Sequence, residues 1–256
     1  MVRRWILTIE YHGGGFSGWQ RQEEGIPSVQ QAVEDAIFAF CQQRVTMHVA
    51  GRTDAGVHAK GQVAHFDLDY GDRPLSGANL AKALNAHLRP QLVSVIDAQE
   101  AVGDFHARFK AVNKLYTYRI INRPSPPAVE QGLAWHIRRK LNVQAMQEAA
   151  RFLIGAHDFT SFRDTYCQAK SPHKTLNRFD IETKNYDFCG GREILFHVEG
   201  RSFLHHQVRI MVGTLSLVGD NKWMPDDVRA ALEACDRTKG GPTAPAEGLY
   251  LMRVDY

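Results

Sequence analysis

Between Gly51 and Ala59 the chain reads Gly-Arg-Thr-Asp-Ala-Gly-Val-His-Ala. An acid, two basic side chains, a hydroxyl and two glycines share one short stretch. A carboxylate held on such a loop can act as a nucleophile or as an electrostatic partner for a developing cation. Asp54 is the candidate for that role. Asp followed by small residues is also ordinary turn chemistry, so the loop alone fits both readings. Two other kinds of chemistry have no evident seat. The glycine run Gly13-Gly14-Gly15 is not part of a G-x-G-x-x-G that opens a helix, so it is not read as a dinucleotide site. Cys41, Cys167, Cys189 and Cys235 are scattered, with no C-x-x-C and no paired Cys/His spacing, which argues against structural zinc and for a reducing compartment.

The elements that must position Asp54 follow from periodicity. Met47–Ala50 reads as a strand end. Gln62–Leu68 follows the loop as a strand, with Ala64, Phe66 and Leu68 on one face. Arg4–Glu10 alternates, with Trp5, Leu7 and Ile9 inward. Ser28 is a helix N-cap, with Gln31 completing a capping box and a stripe of Val29, Ala32, Val33, Ala36, Ile37 and Phe40. A second helix spans Gly77–Leu88, with Leu80, Ala83, Leu84 and Leu88 inward, before a strand over Leu92–Ile96.

The second half repeats the idea loosely. Leu115–Ile121 is a strand, and Asn142 caps a helix that Gly155 ends. Arg178–Thr183 and Glu193–Glu199 are paired strands joined at Asp187–Gly191. Helices are expected over Leu204–Val218 and from Pro225 to Cys235, and a strand over Leu249–Val254. This mixture argues an α+β fold with a mostly antiparallel sheet.

The chain has 256 residues, 44% hydrophobic and 23% charged, which suits a globular protein with a sizeable core. The net charge is only +3, but 31 Lys and Arg and 12 His leave room for a basic face. No apolar run approaches the roughly 18 residues of a membrane span. The N-terminus passes directly into a strand pattern, without the features of a signal peptide.

Blocks along the chain closely resemble the bacterial tRNA pseudouridine synthase A family. They are Ile9-Glu10-Tyr11, Gly18-Trp19-Gln20-Arg21-Gln22, the Asp54 loop, Phe105-His106-Ala107-Arg108-Phe109, Tyr116-Thr117-Tyr118, Asp158 to Phe162, Phe203 to Arg209, and Thr243 to Leu251. They occur in the family's order and cover nearly the whole chain. The resemblance implies two similar α/β halves, 1–104 with the Asp loop and 105–256 with a tyrosine and an arginine. Their sheets would join around a central catalytic cleft.

The resemblance also implies the site. Asp54 matches the essential aspartate, Tyr116 the active-site tyrosine, and Arg209 the arginine that pairs with the aspartate. Arg52 would enter the RNA and help displace the target base. Arg21, Arg108, Lys114 and Arg201 are candidates for backbone phosphates. His205, four residues before Arg209, shares its helix face and is a further RNA contact. His205 and His206, adjacent on that helix, would point about 100° apart, which argues against a shared metal. Leu115, Gln207 and His12 stand where the resemblance implies a basic residue, a methionine and an aspartate.

The implied activity is isomerisation of uridine to pseudouridine at tRNA positions 38, 39 and 40, in the anticodon stem-loop. A cytoplasmic homodimer holding one tRNA is implied, with no cofactor and no metal. A tRNA-binding module without turnover is the rival from another class, and intact Asp54, Tyr116 and Arg209 argue against it. A carboxylate-dependent hydrolase lacks a clear second acid.

Overall fold

Alternating burial of Trp5, Leu7, Ile9 and Tyr11 makes the first strand, β1 (Val2–Tyr11), two-faced. The computed structural model describes residues 2–71 and 74–256, leaving Met1, Asp72 and Arg73 outside the described residues. Its contacts divide the chain into two units: residues up to Val112 with Leu251–Tyr256, and Asn113–Tyr250. Both mix helices with mostly antiparallel strands, as the sequence pattern predicts.

In the first unit β1 is followed by α1 (Val29–Cys41), β2 (His48–Val49), β3 (His58–Asp69), α2 (Gly77–Leu88) and β4 (Val93–Glu100). β1 lies between β4 and β3, antiparallel to both, and β2 pairs with β3. Ser28 Oγ accepts from the Gln31 N–H at 3.3 Å, so the expected cap is made. The buried stripe of α1 includes Gln30 and Glu34 as well as the aliphatic residues. Phe40 is only half-buried and stacks on Tyr70. In α2 Leu80, Leu84 and Leu88 are buried as expected, but the buried alanine is Ala81, and Ala83 is only half-buried.

The second unit contains β5 (Asn113–Asn122), β6 (Trp135–Ile137), α3 (Val143–Ala150), β7 (Gly155–Asp158), β8 (His173–Asn185), β9 (Arg192–Gly200), α4 (Gln207–Gly219) and α5 (Pro225–Glu233). Its strand order is β5-β9-β8-β7, antiparallel throughout, and β6 adds to β5 in parallel. The final strand, β10 (Leu249–Asp255), neighbours β3 through its later residues, which belong to the first unit. The division falls after Val112 rather than after residue 104. Residues 105–107 are tied to the first unit, where the Arg4 guanidinium donates to the Phe105 carbonyl, and the Ala107 N–H to His65 Nδ1.

Three helix limits differ from the sequence pattern. The helix expected to run to Gly155 ends at Ala150, followed by a 3-10 turn over Arg151–Leu153, and Gly155 instead opens β7. The helix expected from Leu204 begins at Gln207, because His206 takes a left-handed conformation with φ 60°. Leu204 and Gln207 instead close a turn, the Leu204 N–H donating to Gln207 Oε1 (2.8 Å) and the Gln207 N–H to the Leu204 carbonyl (3.1 Å). α5 stops at Glu233, before the left-handed Cys235. The short strands β6 and β7 carry too few residues for a period to show.

A histidine cluster joins β2, β3 and the 105–109 turn. His48, His65 and His106 have ring centroids 4.7 to 5.5 Å apart. Burial lowers the His65 pKa to about 4, helped by His106, Arg4 and His48 and opposed by Asp67. A depressed histidine pKa means that the unfolded chain binds a proton which the folded chain refuses. We therefore expect stability to fall as pH drops from about 6.5 towards 4, and to be insensitive to this group above neutrality. Chemical denaturation at several pH values checks this. His65→Asn, whose Oδ1 takes the place of Nδ1 and can still accept from the Ala107 N–H, should flatten that part of the profile.

Candidate active site

The Asp54 loop connects β2 to β3 and is fastened along its length. The Ala50 N–H donates to the Val63 carbonyl (2.9 Å), and the Val57 N–H closes a turn on the Asp54 carbonyl (3.2 Å). A second segment, residues 13–19, lies against it. There the Trp19 N–H donates to the Thr53 carbonyl (3.1 Å), and Gly13 N–H to His58 Nδ1 (2.9 Å). Gly18 makes this approach possible. Its φ is +95°, and a Cβ there would stand 2.7 Å from the Thr53 oxygen. The glycine-rich stretch thus serves close packing of backbone on backbone. Asp54 itself is half-buried, Thr53 is buried and Arg52 is exposed.

Behind the loop two buried polar groups recur. Tyr11 and Gln62 contact Thr53 and Gly51: the Tyr11 hydroxyl is 2.7 Å from Thr53 Oγ1, and Gln62 Nε2 donates to the Gly51 carbonyl (2.8 Å). Glu34 accepts from Gln30 Nε2 (2.8 Å), the Met47 N–H (3.0 Å) and Arg21 Nη1 (2.9 Å). The Arg21 guanidinium, expected on phosphate, is therefore engaged with a buried carboxylate and helps brace the turn after Trp19. Arg108 is exposed beside Phe109, its guanidinium 5.9 Å from that ring centroid.

In the second unit Tyr116 is buried on β5, edge-on to Phe203 with centroids 5.1 Å apart. Lys114, also expected on phosphate, is buried, and its ammonium donates to the Arg201 carbonyl (3.3 Å). Arg201 itself is exposed. On α4, Arg209 Nε donates to the Ala244 carbonyl (2.8 Å), and the Ala244 N–H returns to the Arg209 carbonyl (3.1 Å). Tyr118 donates to the neighbouring Pro245 carbonyl (2.7 Å), and Gly248 packs against its ring. Burial pushes the Tyr118 hydroxyl well above its ordinary pKa, against the pull of Arg209, so it stays a neutral donor. Residues 244–248 are thus held from both sides by Arg209 and Tyr118.

The two histidines need correction. His205 and His206 precede α4, so the 100° divergence expected of helix neighbours does not apply, nor does a shared helix face with Arg209. Their rings lie 3.9 Å apart and tilted by 30°. Both Nδ1 atoms face Asp164, at 2.8 Å for His206 and 3.6 Å for His205. Asp164 also accepts from the Tyr166 N–H, and these bonds hold its pKa below the usual carboxylate value despite desolvation. Sequence spacing gave no signal for Asp164. Nor did it single out Tyr11, Thr53, Gln62 or Glu34, whose polar atoms are used in the interior.

A family model described as tRNA pseudouridine synthase matches residues 7–110 and 149–256. A relative named tRNA pseudouridine synthase A from Rhodospirillum rubrum is 53% identical over 253 residues, covering 99% of this chain and 87% of that one. One of the same name from Paramagnetospirillum magneticum is also 53% identical, covering 99% and 95%. Another from Rhodospirillum centenum is 50% identical over 255 residues and spans both chains in full.

The clamp at Gly18 is testable by comparison with Gly25. Both have positive φ, but a Cβ at Gly25 meets nothing within 4 Å. Gly25→Ala should cost about 1 kcal/mol of stability, from backbone strain alone. Gly18→Ala adds a collision with the Thr53 carbonyl and should cost at least about 2 kcal/mol. Urea denaturation of the two variants measures the difference.

Proposed function

The chain belongs to the tRNA pseudouridine synthase family, and from that premise we propose that it modifies uridines 38, 39 and 40 in the anticodon stem-loop, using Asp54 as its catalytic carboxylate. It is an isomerase that converts uridine to pseudouridine in tRNA. The observation that carries the proposed role of Asp54 is its place on a loop fixed by backbone bonds at Ala50, Thr53 and Val57.

The reaction breaks the N1–C1′ bond, turns the base, and joins C5 to C1′. C5 then loses a proton and N1 gains one, so the change is redox-neutral. As N1–C1′ breaks, C1′ becomes electron-poor. An ionised, oriented carboxylate meets that need either by bonding to the carbon or by stabilising its charge. Asp54 supplies it in both routes.

Tyr116 would face the extruded base, its ring stacking on uracil and its hydroxyl near C5. Its edge-on contact with Phe203 supports a fixed ring. Arg209, with Nε already committed to Ala244, has its guanidinium plane set, which suits the partner role that the resemblance assigns it. Arg52, Arg108, Arg201 and His205, each exposed, are the proposed RNA contacts. Arg21 and Lys114 would act more as braces than as phosphate ligands. No helix among the described residues is long and apolar enough to cross a membrane. We take the protein to be cytoplasmic and dimeric, and to need no cofactor.

Asp54→Asn should reduce turnover by more than about 10³-fold while leaving tRNA affinity within a few-fold, because phosphate contacts supply most of the binding. Tritium release from uridine labelled at C5, beside filter binding, reads both. Sequencing the product tRNA for pseudouridine tests the positions. Modification outside 38–40 would refute the stem-loop assignment, and full turnover by Asp54→Asn would refute the carboxylate. Tyr116→Phe should keep affinity and lose most turnover if the hydroxyl takes part. Equal turnover would reduce Tyr116 to a stacking surface.

A further inference from the structure

We propose that Tyr11 is a positioning residue for the isomerisation, its buried hydroxyl acting with Thr53 and Gln62 to fix the direction of Asp54. This rests on the reading of Asp54 as the catalytic carboxylate. Tyr11 ends β1 on the same inward face as Trp5, Leu7 and Ile9. A polar tip at the end of an apolar row needs a reason, since burying an unpaired hydroxyl costs free energy. The reason lies in the loop. The hydroxyl sits 2.7 Å from Thr53 Oγ1, on the residue directly before Asp54. Gln62, from the neighbouring strand β3, donates through Nε2 to the Tyr11 oxygen (3.4 Å) and to the Gly51 carbonyl (2.8 Å). Tyr11 and Gln62 are 3% and 0% exposed.

The pairing of β1 with β3 shifts just here. Ile9 opposes Gln62 while Tyr11 opposes Ala59, so β3 carries one extra residue. Such a bulge re-aims side chains, and here it accompanies Gln62 bonding both the loop and Tyr11 on the neighbouring strand. The pair therefore grips the loop at Gly51 and at the Thr53 side chain. The Trp19 N–H grips it at the Thr53 carbonyl. Three bonds on two residues leave the peptide before Asp54 little freedom. Burial raises the Tyr11 pKa to about 12, and the charge of Asp54 adds to the rise. The phenol thus stays protonated through the working range and shares a hydrogen bond with the Thr53 hydroxyl.

Tyr11→Phe keeps the ring and its packing beside Trp19 and removes only the hydroxyl. A small misplacement of a catalytic group can cost about 10²-fold. We expect kcat to fall about 10- to 100-fold with KM for a tRNA transcript within about twofold of wild type. Thr53→Ala should behave alike, Thr53→Ser should recover most of the lost turnover, and the Tyr11→Phe/Thr53→Ala double variant should be no slower than the worse single one. A purely structural role would shift the melting temperature but not produce this split or this rescue. Wild-type kcat in folded Tyr11→Phe would overturn the proposal, as would a raised KM at constant kcat. If Tyr11→Phe does not fold, the Thr53 series decides: Ser and Ala behaving identically would overturn it. Asp54→Asn is measured alongside. If it retains turnover, the catalytic reading itself fails. If it is inactive while Tyr11→Phe is unimpaired, only the positioning role fails.

Discussion

A carboxylate on a loop is useful only if the loop cannot relax, and that constraint organises the first unit. Asp54 stands between two strands, but neighbouring strands alone would leave its peptide free to rotate. The added bonds come from residues remote in sequence: Trp19 on the Thr53 carbonyl, Tyr11 on the Thr53 hydroxyl, and Gln62 on the Gly51 carbonyl. Helix α1 secures the Trp19 segment in turn. Its Gln30 N–H donates to the Trp19 carbonyl, and the Gln30 side chain accepts from the Arg21 N–H. Glu34 then joins that segment to Met47, just before the loop. The interior polar groups of this unit form a brace around one turn of chain.

The second unit solves a related problem by other means. Arg209 is carried by a helix, which is stiff, so the task is to fix where the helix starts and which way the guanidinium lies. The left-handed His206 ends the preceding turn, and Asp164 takes the imidazole of that residue at 2.8 Å. Ala244 then takes Arg209 Nε, while Tyr118 holds the adjoining Pro245. Gln207 shows the cost of a departure from the expected residue. Its Oε1 satisfies the Leu204 N–H, but its buried Nε2 has no hydrogen-bond partner among the described residues. A methionine would lose the first bond and avoid the orphaned donor.

The charged residues follow the same division of labour. Glu34 and Lys114 are buried, where an ion survives only with good partners. Arg21 and the Arg201 carbonyl are among those partners. Arg52, Arg108 and Arg201, the proposed RNA contacts, are instead exposed. A net charge of +3 conceals this, because it sums braces and surface contacts alike.

Much was decided by the residues alone. Helix α2 runs over Gly77–Leu88 as its apolar spacing requires, Ser28 and Asn142 cap their helices, and the strands flanking Asp187–Gly191 pair. The ordered motif blocks were legible for the same reason, since each is a local run of side chains. Local rules reach across one turn of helix or one strand face, and they identify those features without a fold. They do not reveal what lies across the interior. That His205 and His206 would stack and share Asp164, that Arg21 would turn to Glu34, and that Tyr11 would reach Thr53 depended on partners 13 to 42 residues away. Tertiary structure settled these, because a buried polar atom must find a partner in space, and periodicity reports only which face it occupies.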